Sequence, residues 1–169
     1  IIGERWTLLI IRDAFKGPRR FEGFHKNLGV TRHRLTERLN SLVESGVMTK
    51  VPYSRNPERF EYRLTRKGLG LYPVLMSLSQ WGDQWLADEN GPPMTYWHSC
   101  CAQDCEPVMA CSECGEALKP EEVSAKLGTE LTQYVAHLKD HGLPIPSDAE
   151  LPKRAGEYRK TRTRKELSL

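Results

Sequence analysis

Apolar residues at Trp6, Leu9, Ile10 and Phe15 recur at helical spacing and stop at Gly17-Pro18, which predicts a first helix from about Arg5 that builds core. Phe21, Phe24 and Leu28 predict a short second helix from about Arg20 to Gly29. After the turn Gly29-Val30-Thr31, Leu35, Leu39, Leu42 and Val43 fall on one face of a third helix. That leaves His33, Arg34, Glu37, Asn40 and Ser41 outward. Thr31 stands where an N-cap oxygen can accept an orphan backbone N–H, and Gly46 where a left-handed C-terminal cap is needed. Residues 47–53 and 60–64 read as two short strands, with Ser54-Arg55-Asn56-Pro57-Glu58 as the hairpin loop between them. A long helix is predicted over 65–86, broken near Pro73, with Leu71, Leu75, Leu78, Gly82 and Trp85 repeating four, three, four, three. Such a seam predicts a homodimer.

Asn90-Gly91-Pro92-Pro93 stops any helix and marks a boundary. Residues 1–90 therefore form a winged helix-turn-helix unit for DNA binding and dimerisation. All five cysteines follow in a small Cys/His unit, 91–127. The last stretch, 128–169, opens with a helix through Leu131, Tyr134, Val135 and Leu138 to Gly142. Pro144 to Pro152 reads as a linker, and the basic, polar 153–165 as a tail that stays mobile unless a partner orders it. The fold class is mainly α with a small β wing, followed by a zinc-ribbon-like unit and a C-terminal helix.

Charge sharpens this picture. Residues 16–67 hold thirteen lysines and arginines against five glutamates, a net +8 in a chain of +3 overall, so the remainder carries −5. A basic face confined to one structural unit is the footprint of a phosphate-binding surface. The composition, 38% hydrophobic and 28% charged, is that of an ordinary soluble chain. The most apolar run, 6–11, is far too short for a membrane span and lacks a signal-peptide pattern, which points to the cytoplasm. The chain opens without a methionine inside an apolar pattern, so further residues are expected upstream.

Side chains near the start of a recognition helix reach base edges in the major groove, while flanking cations hold phosphates. Thr31, Arg32, His33 and Arg34 are the candidates for reading, with Arg34 or Arg32 suited to a bidentate contact with guanine. Arg38, one turn on, and Arg19 and Arg20 suit the backbone. Arg55 and Arg59 flank a wing loop able to enter or skirt the minor groove.

Gly-Glu-Arg-Trp-Thr-Leu-Leu-Ile at 3–10, Gly-Pro-Arg-Arg-Phe at 17–21, Leu35 through Leu42, and Glu-Tyr-Arg-Leu-Thr-Arg-Lys-Gly at 61–68 together resemble the HxlR-type branch of the MarR-like winged-helix regulators. The resemblance covers about the first half of the chain. It implies a homodimer on a pseudo-palindromic operator in double-stranded DNA, commonly as a repressor, pairing through terminal helices. Several members of that family sense oxidants or electrophiles through a cysteine just before helix one. This chain has none there, so that mechanism does not carry over.

His98-Ser-Cys100-Cys101 and Cys111-Ser-Glu-Cys114-Gly115 give His-x2-Cys and Cys-x2-Cys, two chelating knuckles whose spacing suits a tetrahedral zinc. The expected ligands are His98, Cys101, Cys111 and Cys114. Cys100 and Cys105 are surplus, and Cys105 is an alternative to His98. A closed four-ligand site is structural rather than catalytic. The Cys-x-x-Cys also suits a redox effector, oxidation releasing zinc, and the aromatics Trp6, Tyr72, Trp81, Trp85, Tyr96 and Trp97 suit a small-molecule effector cavity as well as core. The His-x-Glu and Pro-Cys-x-x-Cys of a zinc deaminase are both missing, so the chain reads as no enzyme. Two other readings stay open: a winged-helix module that meets RNA or a protein, and a metalloenzyme built on the ribbon.

Overall fold

The computed structural model describes residues 1–17 and 19–166, with side chains as far as residue 160. It divides into two compact units, Ile1–Ala110 and Cys111–Leu169, so the 90–93 Gly-Pro-Pro stretch lies inside the first.

In the first unit, α1 (Thr7–Lys16), α2 (Phe21–Leu28) and α3 (Arg32–Glu44) precede a two-stranded antiparallel wing, β1 (Met48–Arg55) and β2 (Glu58–Leu64). The apolar faces meet in one core: Ile10, Ile11, Phe24, Leu35, Leu39, Leu42, Val47 and Met48 are almost wholly buried. Each such side chain contributes about 1.5–3 kcal/mol over its exposed state. Gly29 closes α2 in the left-handed region (φ 62°), its N–H bonded to the His25 carbonyl, and so turns the chain into α3. At the other end of α3, Gly46 (φ 70°) donates to the Val43 carbonyl and Val47 to that of Leu42, the double bond of a Schellman cap. This cap aims β1 away from the helix. The expected cap at the start of α3 is corrected in part. Thr31 occupies the N-cap position, but its hydroxyl makes no capping bond.

Both strands run longer than the apolar pattern suggests. They pair from Met48↔Leu64 out to Arg55↔Glu58, so the turn shrinks to Asn56-Pro57. Backbone pairing carries polar residues that hydrophobic alternation cannot mark.

The single long helix over 65–86 is also corrected. A short α4 (Arg66–Leu69) ends before α5 (Tyr72–Leu86) begins, and Pro73 lies in the first turn of α5 instead of kinking it. Proline is tolerated there because the N–H it lacks would have no helical partner. The anticipated seam splits as well. Leu71 and Leu75 pack on the winged-helix core, while Val74, Leu78, Trp81 and Trp85, spaced four, three and four, are 40%, 49%, 56% and 66% exposed. A short hairpin follows, β3 (Tyr96–His98) with β4 (Gln103–Cys105).

In the second unit, a 3-10 turn (Pro120–Glu122) leads to α6 (Thr129–Asp140) and α7 (Leu151–Glu166). The basic tail is therefore a helix, against the expectation of a mobile end. Leu151 and Ala155, one turn apart, are buried with Tyr134 and Leu138 of α6, and Tyr158 stacks on His137 at 4.7 Å. The dense charge of 153–165 hid this narrow apolar stripe. Side chains beyond 160, Arg162, Arg164 and Lys165 among them, lie outside the described residues. No helix of the described residues is long and apolar enough to cross a membrane.

Candidate nucleic-acid interface

The basic residues of the helix-turn-helix and wing fall into two groups, sorted by carboxylates that the fold brings to them. Arg32 donates to Glu22 through both terminal nitrogens, one at 3.1 Å, and its guanidinium lies 5.0 Å from the Phe21 ring centre. The pair bolts the start of α3 to α2. Their mutual bond holds the Glu22 carboxyl below the usual carboxylate range and raises Arg32 further. Arg20 reaches Glu61 at 3.3 Å and stacks 4.2 Å from the Tyr53 ring centre, while the Tyr62 N–H donates to the Arg19 carbonyl. Residues 19–20 are thereby annealed to β2. Arg38 meets Glu4 at 3.2 Å, and His33 meets Glu37 one turn on at 3.5 Å.

Arg19, Arg34, Arg55 and Arg59 form the second group: all are exposed, with no acidic partner among the described residues. Thr31 is exposed too, its hydroxyl left unused by the cap, and it precedes Arg34 by three residues on the same edge of α3. Arg55 and Arg59 sit at the tip of the wing, opposite Glu58 and Ser54. Lys50, which the sequence reading did not single out, is exposed on β1 above the Phe60 and Tyr62 rings at 5.3 and 5.7 Å. Its signal was the alternation of a basic residue with aromatics across the hairpin, visible once the register is known.

Glu61 sits between two arginines, and its carboxyl is held below the usual range by Arg63 first and Arg20 second. A depressed folded-state value contributes stability above the unfolded-state value, lost as the pH falls through the folded one. We expect the thermal midpoint of the wild type to fall more steeply than that of Glu61→Gln between about pH 5 and pH 3. Parallel curves would show that the pairs add nothing to stability.

The cysteines occupy turns. In the first unit, the Ala102 N–H donates to the His98 carbonyl at 2.9 Å, Ala102 has φ 53°, and Cys101 Sγ lies 3.3 Å from His98 Nδ1. Cys105 pairs across the hairpin with Tyr96, at the end away from that turn. In the second unit, the Gly115 N–H donates to the Cys111 carbonyl at 2.9 Å, and Gly115 has φ 79°. Backbone N–H groups of Cys114 and Glu113, and the Cys114 thiol, bond the Cys111 sulfur and lower its pKa. Among the described residues no three His, Cys, Asp or Glu side chains are gathered as a metal site.

The description of the HxlR-like helix-turn-helix family matches residues 1–90, the three helices, the wing, α4 and α5. An uncharacterized HTH-type transcriptional regulator of Mycobacterium bovis is 45% identical over 128 residues, 76% of this chain and 81% of its own length. A counterpart in Mycobacterium tuberculosis matches equally. Among solved structures, PA1607, described as a proposed transcription factor, is 35% identical with a TM-score of 0.67, covering 75% of this chain and 89% of its own. A second, PA1374 of Pseudomonas aeruginosa, is 32% identical with a TM-score of 0.58, covering 76% and 87%. With more than half its length matched in order, through helix-turn-helix and wing alike, the chain belongs to the HxlR-like helix-turn-helix family.

Proposed function

We propose that the protein is a transcriptional repressor that binds a pseudo-palindromic operator in duplex DNA as a homodimer. The observation that carries this reading is the exposed, unpaired Arg34 beside Thr31 at the start of α3, on the unit that holds the net +8. In a major groove, Arg34 reads a guanine edge, Thr31 contacts a base or phosphate, and Arg19 holds the backbone. Arg55 and Arg59 reach the minor groove from the wing tip. Arg32, Arg20 and Arg38 act one step back, orienting α2, α3 and the wing through their carboxylate partners. A second copy covers the Val74, Leu78, Trp81 and Trp85 stripe.

Arg34→Ala is expected to weaken operator binding by about 1–3 kcal/mol and to relax specificity at one base position. Fluorescence anisotropy against the operator and single-base variants reads both. An unchanged base preference would take Arg34 out of the reading set. Arg19→Ala should instead weaken all duplexes alike and lower the salt slope by about one, with Arg20→Ala lowering it less because Glu61 already holds that charge.

We also propose that His98, Cys101, Cys111 and Cys114 ligate a structural zinc. Support comes from the donor chemistry: a Cys-x-x-Cys whose first sulfur already accepts backbone N–H bonds, and a His-x-x-Cys with its side chains 3.3 Å apart, each closed by a residue at positive φ. Such bonds favour thiolate, the form that binds metal. Protein purified without added zinc should carry about one zinc per chain, and Cys111→Ser should lose it. Metal-free wild type with five free thiols would remove this part of the reading and leave the DNA-binding part standing.

A further inference from the structure

An apolar cavity of about 590 Å³ lies in the first unit between α1, α5 and the segment leading into β3, within the size range of small-molecule sites. Phe15 and Tyr72, with ring centres 5.0 Å apart, and Leu75 supply a hydrophobic wall. Its polar groups are few, and most are spoken for. Ser79 and Tyr96 share one hydroxyl pair at 2.6 Å, and Arg12 is held by the buried Asp13 at 2.7 Å. Lys16 is different. Among the described residues it has no acidic partner, and its ammonium rests 3.1 Å from the Met94 sulfur, a weak acceptor and no counter-ion. Asp83, also on the cavity, makes no ion pair with it.

We propose that this cavity binds a small amphipathic monocarboxylate, its alkyl or aryl body against Phe15, Tyr72 and Leu75 and its carboxylate on Lys16 in place of the Met94 sulfur. A neutral ligand gains the apolar burial but leaves the cation unpaired. A dicarboxylate brings a second charge toward Asp83, so one negative charge is the match. The inference rests on the first unit alone and stands whether or not the DNA reading does.

Calorimetry on the full chain with 4-phenylbutyrate and its neutral counterpart 4-phenylbutyramide tests it, without DNA present. We expect the acid to bind at least about tenfold more tightly than the amide. Lys16→Met should erase that preference while keeping amide binding, and Lys16→Arg should restore it. Lys16 is exposed, so both variants should fold, and a thermal melt checks this. Equal binding of acid and amide by the wild type, a preference that survives Lys16→Met, or no binding of either at millimolar concentration would each overturn the proposal.

Discussion

Replacing Trp81 by aspartate should convert the protein from dimer to monomer and lower its operator affinity by about a hundredfold or more, the penalty for losing a linked second half-site. The stripe Val74, Leu78, Trp81, Trp85 follows one face of a fifteen-residue helix, and its residues become more exposed toward the end, from 40% to 66%. Four large apolar side chains in a row are too much unburied surface for a chain that works alone. Leu71 and Leu75, which hold α5 to the winged-helix core, lie elsewhere on the helix, so the substitution leaves the fold intact. Light scattering gives the mass, and binding to full and half operators separates assembly from recognition. A monomeric wild type, or a Trp81→Asp protein that stays dimeric, would move the interface elsewhere.

Gly68→Ala should destabilise the first unit by about 2–4 kcal/mol, although it adds one methyl group to a helix. A Cβ at Gly68 would stand 2.3 Å from the Val47 carbonyl oxygen and 3.0 Å from Leu64 Cδ2. That carbonyl cannot retreat freely. It accepts the Thr65 N–H at 3.1 Å and the Thr65 hydroxyl at 3.2 Å, and the same hydroxyl oxygen accepts the Gly68 N–H at 3.2 Å. Thr65 thus caps α4 and ties it to the root of the wing, leaving Gly68 no room for a side chain. Gly82→Ala is the control. Nothing lies within 4 Å of its Cβ position, so alanine there should be neutral or stabilising by about 1 kcal/mol. Chemical denaturation of both variants gives the comparison, and equal stabilities would mean that the α4 contact yields without cost.

The helix-turn-helix was legible because local rules fix it. Leu35, Leu39 and Leu42 recur at the helical period and can be satisfied only by burying one face. Gly29 and Gly46 stand where the backbone must turn left-handed, a conformation other residues avoid. The basic excess of 16–67 is a property of composition and survives any folding. These are short-range or additive properties, which a linear reading recovers.

What it could not recover depends on residues distant along the chain. Arg32 and Arg34 are equivalent by propensity and position, yet Glu22, ten residues back, captures one and leaves the other free. Arg20 is bound by Glu61, forty-one residues away, once β2 is laid beside residues 19–20. Leu71, Leu75, Leu78 and Trp85 belong to one periodic pattern, but the break at Gly70-Leu71 sets the angle at which α5 leaves the core and so divides them. The helical character of 151–166 emerges only when Leu151, Ala155 and Tyr158 find α6. From the sequence alone came the family of fold and the sign of its charge, because period, turn chemistry and net charge are encoded residue by residue. The tertiary structure alone decided which cations stay free for DNA and which apolar faces stay open for a partner, because each depends on pairings closed across long stretches of chain.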